Sequence, residues 1–124
     1  LSLNVDRHTG NFGYLVDNNN FNTIEFAPIF DSNLALAPYW VPSLDGNLNS
    51  YAATCSSKFG NSFIELGAFI LQNRPDLIEK VRAVAKYFEF KTTEPYSFKL
   101  ARLEALSTLV RTQAILILKN SERR

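Results

Sequence analysis

Leu3-Asn4-Val5-Asp6-Arg7-His8-Thr9-Gly10-Asn11-Phe12-Gly13-Tyr14, followed by Ala27-Pro28-Ile29-Phe30-Asp31, is the part of this chain on which its interpretation turns. Asp6 is followed five residues on by Asn11, and Asp31 comes after a stretch with the pattern of a hairpin. This order fits the base-and-metal half of a site that transfers the γ-phosphoryl group of ATP. One carboxylate accepts the proton of the attacking hydroxyl, while an amide oxygen and a second carboxylate hold magnesium. With Asp6 and Asn11 on one loop, nucleophile and metal sit close together, and a hairpin returns Asp31 to the same metal. The plain alternative is a pair of turn residues flanking a strand, a place where Asp and Asn are common.

The surroundings supply the hairpin. Phe12 to Val16 reads as a strand, Asp17-Asn18-Asn19-Asn20 as a tight turn, and Thr23 to Phe26 as the returning strand. Phe12, Tyr14 and Val16 alternate with Gly13 and Leu15, which predicts partial burial of both faces, and Thr23 to Phe26 alternates as a strand with one wet face does. Pro28 ends the ladder.

On these residues the chain resembles the HipA family of serine/threonine kinases, the toxin halves of bacterial toxin–antitoxin pairs. Asn4-x-Asp6-x-His8-x-x-Asn11-Phe12 and Ala27-Pro28-x-Phe30-Asp31 carry the resemblance, which is dense over roughly residues 3–38 and loose beyond. The resemblance implies that Asp6 is the catalytic base, with His8 beside it where many kinases place a Lys near the transferring phosphate. It implies that Asn11 and Asp31 bind the cofactor Mg²⁺, that ATP is the co-substrate, and that a protein Ser or Thr is the acceptor. A helix-turn-helix antitoxin partner is implied in the same way. Two features depart from the general kinase pattern. Asn4 stands where a His is usual, and Asp31 is followed by Ser32-Asn33 rather than Phe-Gly, which argues against a large regulatory flip of that loop.

Composition is that of an ordinary globular domain: 124 residues, 46% hydrophobic, 20% charged and a net charge of +1. The charge is uneven. Residues 1–60 hold five acids (Asp6, Asp17, Glu25, Asp31, Asp45) against Arg7 and Lys58, and residues 61–124 hold seven acids and eleven bases. The bases are scattered at helical spacing, as on a solvated helix face, so no direct nucleic-acid binding is expected. Cys55 is the sole cysteine, which excludes an internal disulfide and fits a reducing, cytoplasmic setting. It is expected to be a small, half-buried residue rather than a nucleophile. No apolar run reaches the ~18 residues of a membrane span. The chain has no Met and starts at Leu1, with the motif almost at once. Its five Gly form no glycine-rich nucleotide loop, and no Lys follows a strand. The expected object is therefore the C-terminal lobe part of a longer kinase, lacking the nucleotide-binding N-terminal lobe, inactive alone, and prone to self-association through apolar surface around Tyr14, Phe26 and Tyr39-Trp40.

Residues 32–58 read as irregular, punctuated by Pro38, Pro42, Gly46 and several Asn and Ser, Asn47 among them. Within them Tyr39-Trp40-Val41 reads as either a small satellite core or a ledge for a protein substrate. From Asn61 the period becomes helical. Phe63, Ile64, Leu66, Gly67, Ile70 and Leu71 form one stripe ending near Asn73. Pro75 opens a second helix with Leu77, Ile78, Val81, Val84, Ala85 and Phe88 inward. A linker at 92–95 leads to a last helix starting at Pro95 or Ser97. There Phe98, Ala101, Ala105, Leu106, Leu109 and Val110 face in, Ala114 to Leu118 forms a buried end, and 120–124 frays. The predicted fold is α+β: a small antiparallel hairpin packed on a mainly helical body, resembling part of a kinase C-terminal lobe. It forms one domain, with the catalytic loop and metal-binding hairpin at 1–31, the irregular segment at 32–58 and the helical body at 61–120. Two other functions share the Asp and Asn pattern: a small-molecule or lipid phosphotransferase, and a non-catalytic binding module.

Overall fold

The computed structural model describes residues 1–7, 10, 13–28, 35–91 and 99–123. The fold is α+β. Strands β1 (Tyr14–Val16) and β2 (Thr23–Phe26) are followed by helices α1 (Pro42–Asp45), α2 (Leu48–Thr54), α3 (Phe63–Asn73), α4 (Ile78–Tyr87) and α5 (Leu100–Glu122), with a 3-10 turn at Pro75–Leu77 before α4.

The hairpin is antiparallel, with Tyr14 opposite Phe26, Leu15 opposite Glu25 and Val16 opposite Thr23, and an irregularity between Leu15 and Val16. Its turn follows from side chains that mimic backbone acceptors. Asp17 Oδ1 accepts the Asn19 N–H at 2.7 Å and the Asn20 N–H at 3.3 Å, and Asn20 Oδ1 accepts that of Asn22 at 2.9 Å. Every strand residue is exposed. The expected partial burial of Tyr14, Leu15, Val16, Ile24 and Phe26 is thus corrected. Alternation reports which residues share a face, and nothing in a two-stranded ribbon alone covers either face. The expected first strand residue, Phe12, lies outside the described residues.

The core lies between α5 and helices α2, α3 and α4, with Leu3 and the loop at 36–40 packed into it. Leu3, Ala37, Trp40, Leu48, Ala52, Leu106 and Leu109 form one buried cluster, flanked by Leu36, Tyr51, Phe63, Phe90 and Ala105. Further along α5, Val110, Ala114 and Ile117 are buried, as are Ala68 and Leu71 of α3. Gly67 sits directly against Ile117, where a Cβ would lie 2.6 Å from its Cγ1. α3 starts where a capping box dictates: Ser62 Oγ accepts from Glu65 N, and Glu65 accepts from Ser62 N. α4 turns the expected face inward, though its members are half-buried rather than enclosed.

Five expectations need correction. Ala101, expected to face inward on the last helix, is exposed. The segment 32–58 is not irregular throughout, since α1 and α2 lie within it. Pro42 occupies the first turn of α1, and Asn47 caps α2 by accepting from Ser50 N at 2.8 Å, so the residues taken as breakers are helix starters. Ile70 is half exposed and not part of the inward stripe. Ile115 and Leu116 are exposed, so the apolar end of α5 buries only part of its circumference. α5 does not fray at 120, because Asn120 Nδ2 donates to Leu116 O and Ser121 Oγ to Leu118 O within a helix that runs to Glu122. The linker at 92–95, the starts at Pro95 or Ser97, and Phe98 lie outside the described residues.

A buried polar seam ties the last helix to the chain before it. Ser107 Oγ accepts the Phe90 N–H at 2.8 Å and donates to Leu103 O at 2.8 Å, while Arg111 donates to Phe88 O at 2.6 Å. Arg102 reaches the other way. Its guanidinium lies 5.6 Å from the Trp40 ring and donates to Ala37 O and Trp40 O. Trp40 is buried and its Nε1 donates to Gly46 O, so it packs, but in the main core cluster rather than in a satellite one, while Tyr39 and Val41 are exposed. Among the described residues no helix is long and apolar enough to cross a membrane.

Candidate active-site turn

Asp6 owes its position to the two residues before it. Leu3 is almost fully enclosed in the core cluster and adopts a positive φ of 52°, which a branched side chain takes up only when packing enforces it. Asn4 is also buried, and its Oδ1 accepts the Asp6 N–H at 3.2 Å, closing a small turn. Ser2 O accepts the Leu36 N–H, which fastens this segment to the loop before Trp40. The Asp6 carboxylate itself stays half-exposed, on a backbone that is anchored on its N-terminal side. Among the described residues, Asn4 Nδ2 is buried with no hydrogen-bond partner, an arrangement that costs about 1–3 kcal/mol.

Among the described residues, a charged group that lies outside the motif rests against this carboxylate. Lys58 Nζ lies 3.4 Å from Asp6 Oδ1, and both side chains are partly open to solvent. Lys58 rides on a tight turn of its own. Ser57 is buried, its N–H donates to Asn61 O, Gly60 N–H returns to Ser57 O, and Ser57 Oγ accepts from Phe59 N. Gly60 has φ 82°, a conformation open to glycine at no steric cost. Ser56 and Ser62 bridge across the turn, and Ser62 then begins α3. The sequence carries Lys58-Phe59-Gly60-Asn61, a turn pattern where the segment at 32–58 gives way to the helical period from Asn61.

His8, Asn11 and Asp31 lie outside the described residues. Among the described residues, no three His, Cys, Asp or Glu side chains gather as a metal cage. Asp45 is engaged elsewhere: its Oδ2 accepts the Val41 N–H at 2.8 Å and closes α1. Cys55 borders a mainly apolar cavity of about 210 Å³ between α2, α3 and α5, alongside Phe63, Leu116 and Gln113. Burial pushes its thiol up, against a smaller opposing effect of the Thr54 hydrogen bond, and its Sγ donates to Tyr51 O. A thiol held protonated is a poor nucleophile, which agrees with a packing role.

No protein-family model, curated protein or solved structure matches the chain.

Proposed function

We propose that this chain carries the base side of a HipA-like serine/threonine kinase site, in which Asp6 takes the proton of a Ser or Thr hydroxyl as that oxygen attacks the γ-phosphorus of ATP. The observation that supports this reading most is the presentation of Asp6: a half-exposed carboxylate on a turn whose preceding residues, Leu3 and Asn4, are buried. General-base work needs this combination of fixed backbone and accessible oxygen. Asn11 and Asp31 are the residues proposed to hold magnesium, which when bound neutralises charge on the phosphates. His8 is proposed to stand beside the transferring group, and a protein bearing the acceptor hydroxyl is the proposed substrate.

Calorimetric titration with ATP, with and without magnesium, tests the reading. Binding is expected to require the ion and to be lost in Asn11→Ala and Asp31→Asn. ATP affinity indifferent to magnesium, or unchanged in both variants, would remove the basis for the proposal.

A further inference from the structure

We infer that Lys58 is a phosphate-contacting residue of this site: it rests on Asp6 and moves to the terminal phosphate of a bound nucleoside triphosphate. The inference rests on the phosphoryl-transfer reading above. Three observations carry it. Lys58 and Asp6 are 52 positions apart in sequence, yet Nζ and Oδ1 are 3.4 Å apart. Each is presented by a tight turn with a buried residue at its base, Asn4 in one and Ser57 in the other. The Lys58 side chain is more than half exposed, so the ammonium can leave the carboxylate without disturbing the core.

As a contribution to stability the pair is minor, because exposed ion pairs are worth only about 0–1 kcal/mol. As part of a phosphoryl-transfer site the arrangement has a chemical use. The three outer oxygens of the moving phosphoryl group carry charge, and a nearby fixed cation stabilises it. In the step considered, the acceptor oxygen bonds to the γ-phosphorus as that atom's bond to the β,γ-bridging oxygen breaks. The hydroxyl proton passes to Asp6, the nucleoside diphosphate leaves with the electron pair of the broken bond, and Lys58 remains protonated throughout. Lys58 thus supplies charge and no proton. It does so from the turn before α3, a part of the chain with no role in the sequence motif.

The test compares ATP and ADP affinities, in the presence of magnesium, for the wild-type chain, Lys58→Gln, Lys58→Arg and Asp6→Asn. Wild type is expected to prefer ATP over ADP. Lys58→Gln is expected to lose about tenfold in ATP affinity, the size of one charge-assisted contact, with little change for ADP. Lys58→Arg should keep most of the preference, and Asp6→Asn should bind ATP more tightly, but only while Lys58 is present. Emission from Trp40, the single tryptophan, checks that the variants keep their fold. Equal loss of ATP and ADP in Lys58→Gln, or no loss, overturns the role of Lys58 while leaving the kinase reading intact. Absence of magnesium-dependent ATP binding in the wild-type chain overturns both.

Discussion

Gly67 of α3 and Ile117 of α5 meet with no space for a side chain between them. A Cβ at position 67 would overlap Ile117 Cδ1 and crowd its Cγ1 and Cγ2. Ile117 is buried and β-branched, so its rotamer has little freedom to yield. Replacing Gly by Ala in a helix ordinarily gains up to about 1 kcal/mol. Here overpacking, typically about 1–3 kcal/mol, should prevail. Gly67→Ala is therefore expected to lower the urea midpoint, and adding Ile117→Ala should cost less than the sum of the two single changes. Simple additivity would mean that the helices adjust their spacing freely.

Arg102 and Trp40 offer a spectroscopic prediction. The guanidinium stacks near the indole and donates to two loop carbonyls, at 3.1 Å for Ala37 O and 3.4 Å for Trp40 O. Lysine can replace neither the fork nor the stacking. Arg102→Lys and Arg102→Ala should both shift Trp40 emission to the red, and Arg102→Ala should destabilise by about 1–3 kcal/mol, the range for hydrogen bonds from a charged donor. Unshifted emission would show that the loop is held without Arg102.

Cys55 gives a pH dependence whose sign is fixed. Burial is the dominant effect and raises the thiol above its ordinary value. A group whose folded pKa is raised contributes stability below its unfolded pKa, and that contribution fades as pH climbs through the folded value. Alkylation by iodoacetamide follows the thiolate. Its rate–pH curve should be displaced to higher pH than that of a cysteine peptide, and urea should return the midpoint to the peptide value. A midpoint below that of the peptide would contradict the burial described.

The hairpin should be the least protected part of the described fold. Its strands are exposed throughout, and Tyr14 and Phe26, edge to face at 5.2 Å, are the aromatic pair across it. Ala27 N–H, bonded to Gly13 O, should exchange with deuterium far faster than the amides of Leu109 and Val110 in α5. Tyr14→Ala should speed exchange in the hairpin alone. Equal protection in hairpin and α5 would mean that something encloses the strands.

The legible parts of the sequence were those governed by local rules. Phe63 to Asn73 announces a helix by its period, and Asp17 with Asn20 announces a turn by short polar side chains that bond to their own backbone. Helices α1 and α2 were missed because Pro42 and Asn47 break one element and start another with the same chemistry, and only the chain beyond them decides which. Ser107 and Gln113 are buried and Arg102 is half-enclosed, which the polar character of these residues does not announce. Arg102 reaches Ala37 across 65 positions and Ser107 reaches Phe90 across 17, contacts that leave no local trace. Within the candidate site, Asp6 was legible as a loop acid, while Lys58 at its side was not, because a contact across 52 positions has no periodicity to reveal it.

α5 has a kinetic consequence. It packs on α2, α3 and α4, and it holds the loop at 37–40 through Arg102 and the segment before it through Ser107. The contacts that complete the core are therefore distant along the chain, although most of the secondary structure is helical. Closing larger loops costs little in equilibrium stability, about 0.6 kcal/mol for each doubling of length. It slows folding much more, because the entropy is lost before the contacts form. Refolding should resemble that of a mixed domain of high contact order more than that of a bundle of neighbouring helices. Substitutions such as Leu109→Ala should slow the refolding limb of a chevron plot, while changes in the hairpin leave that limb where it is.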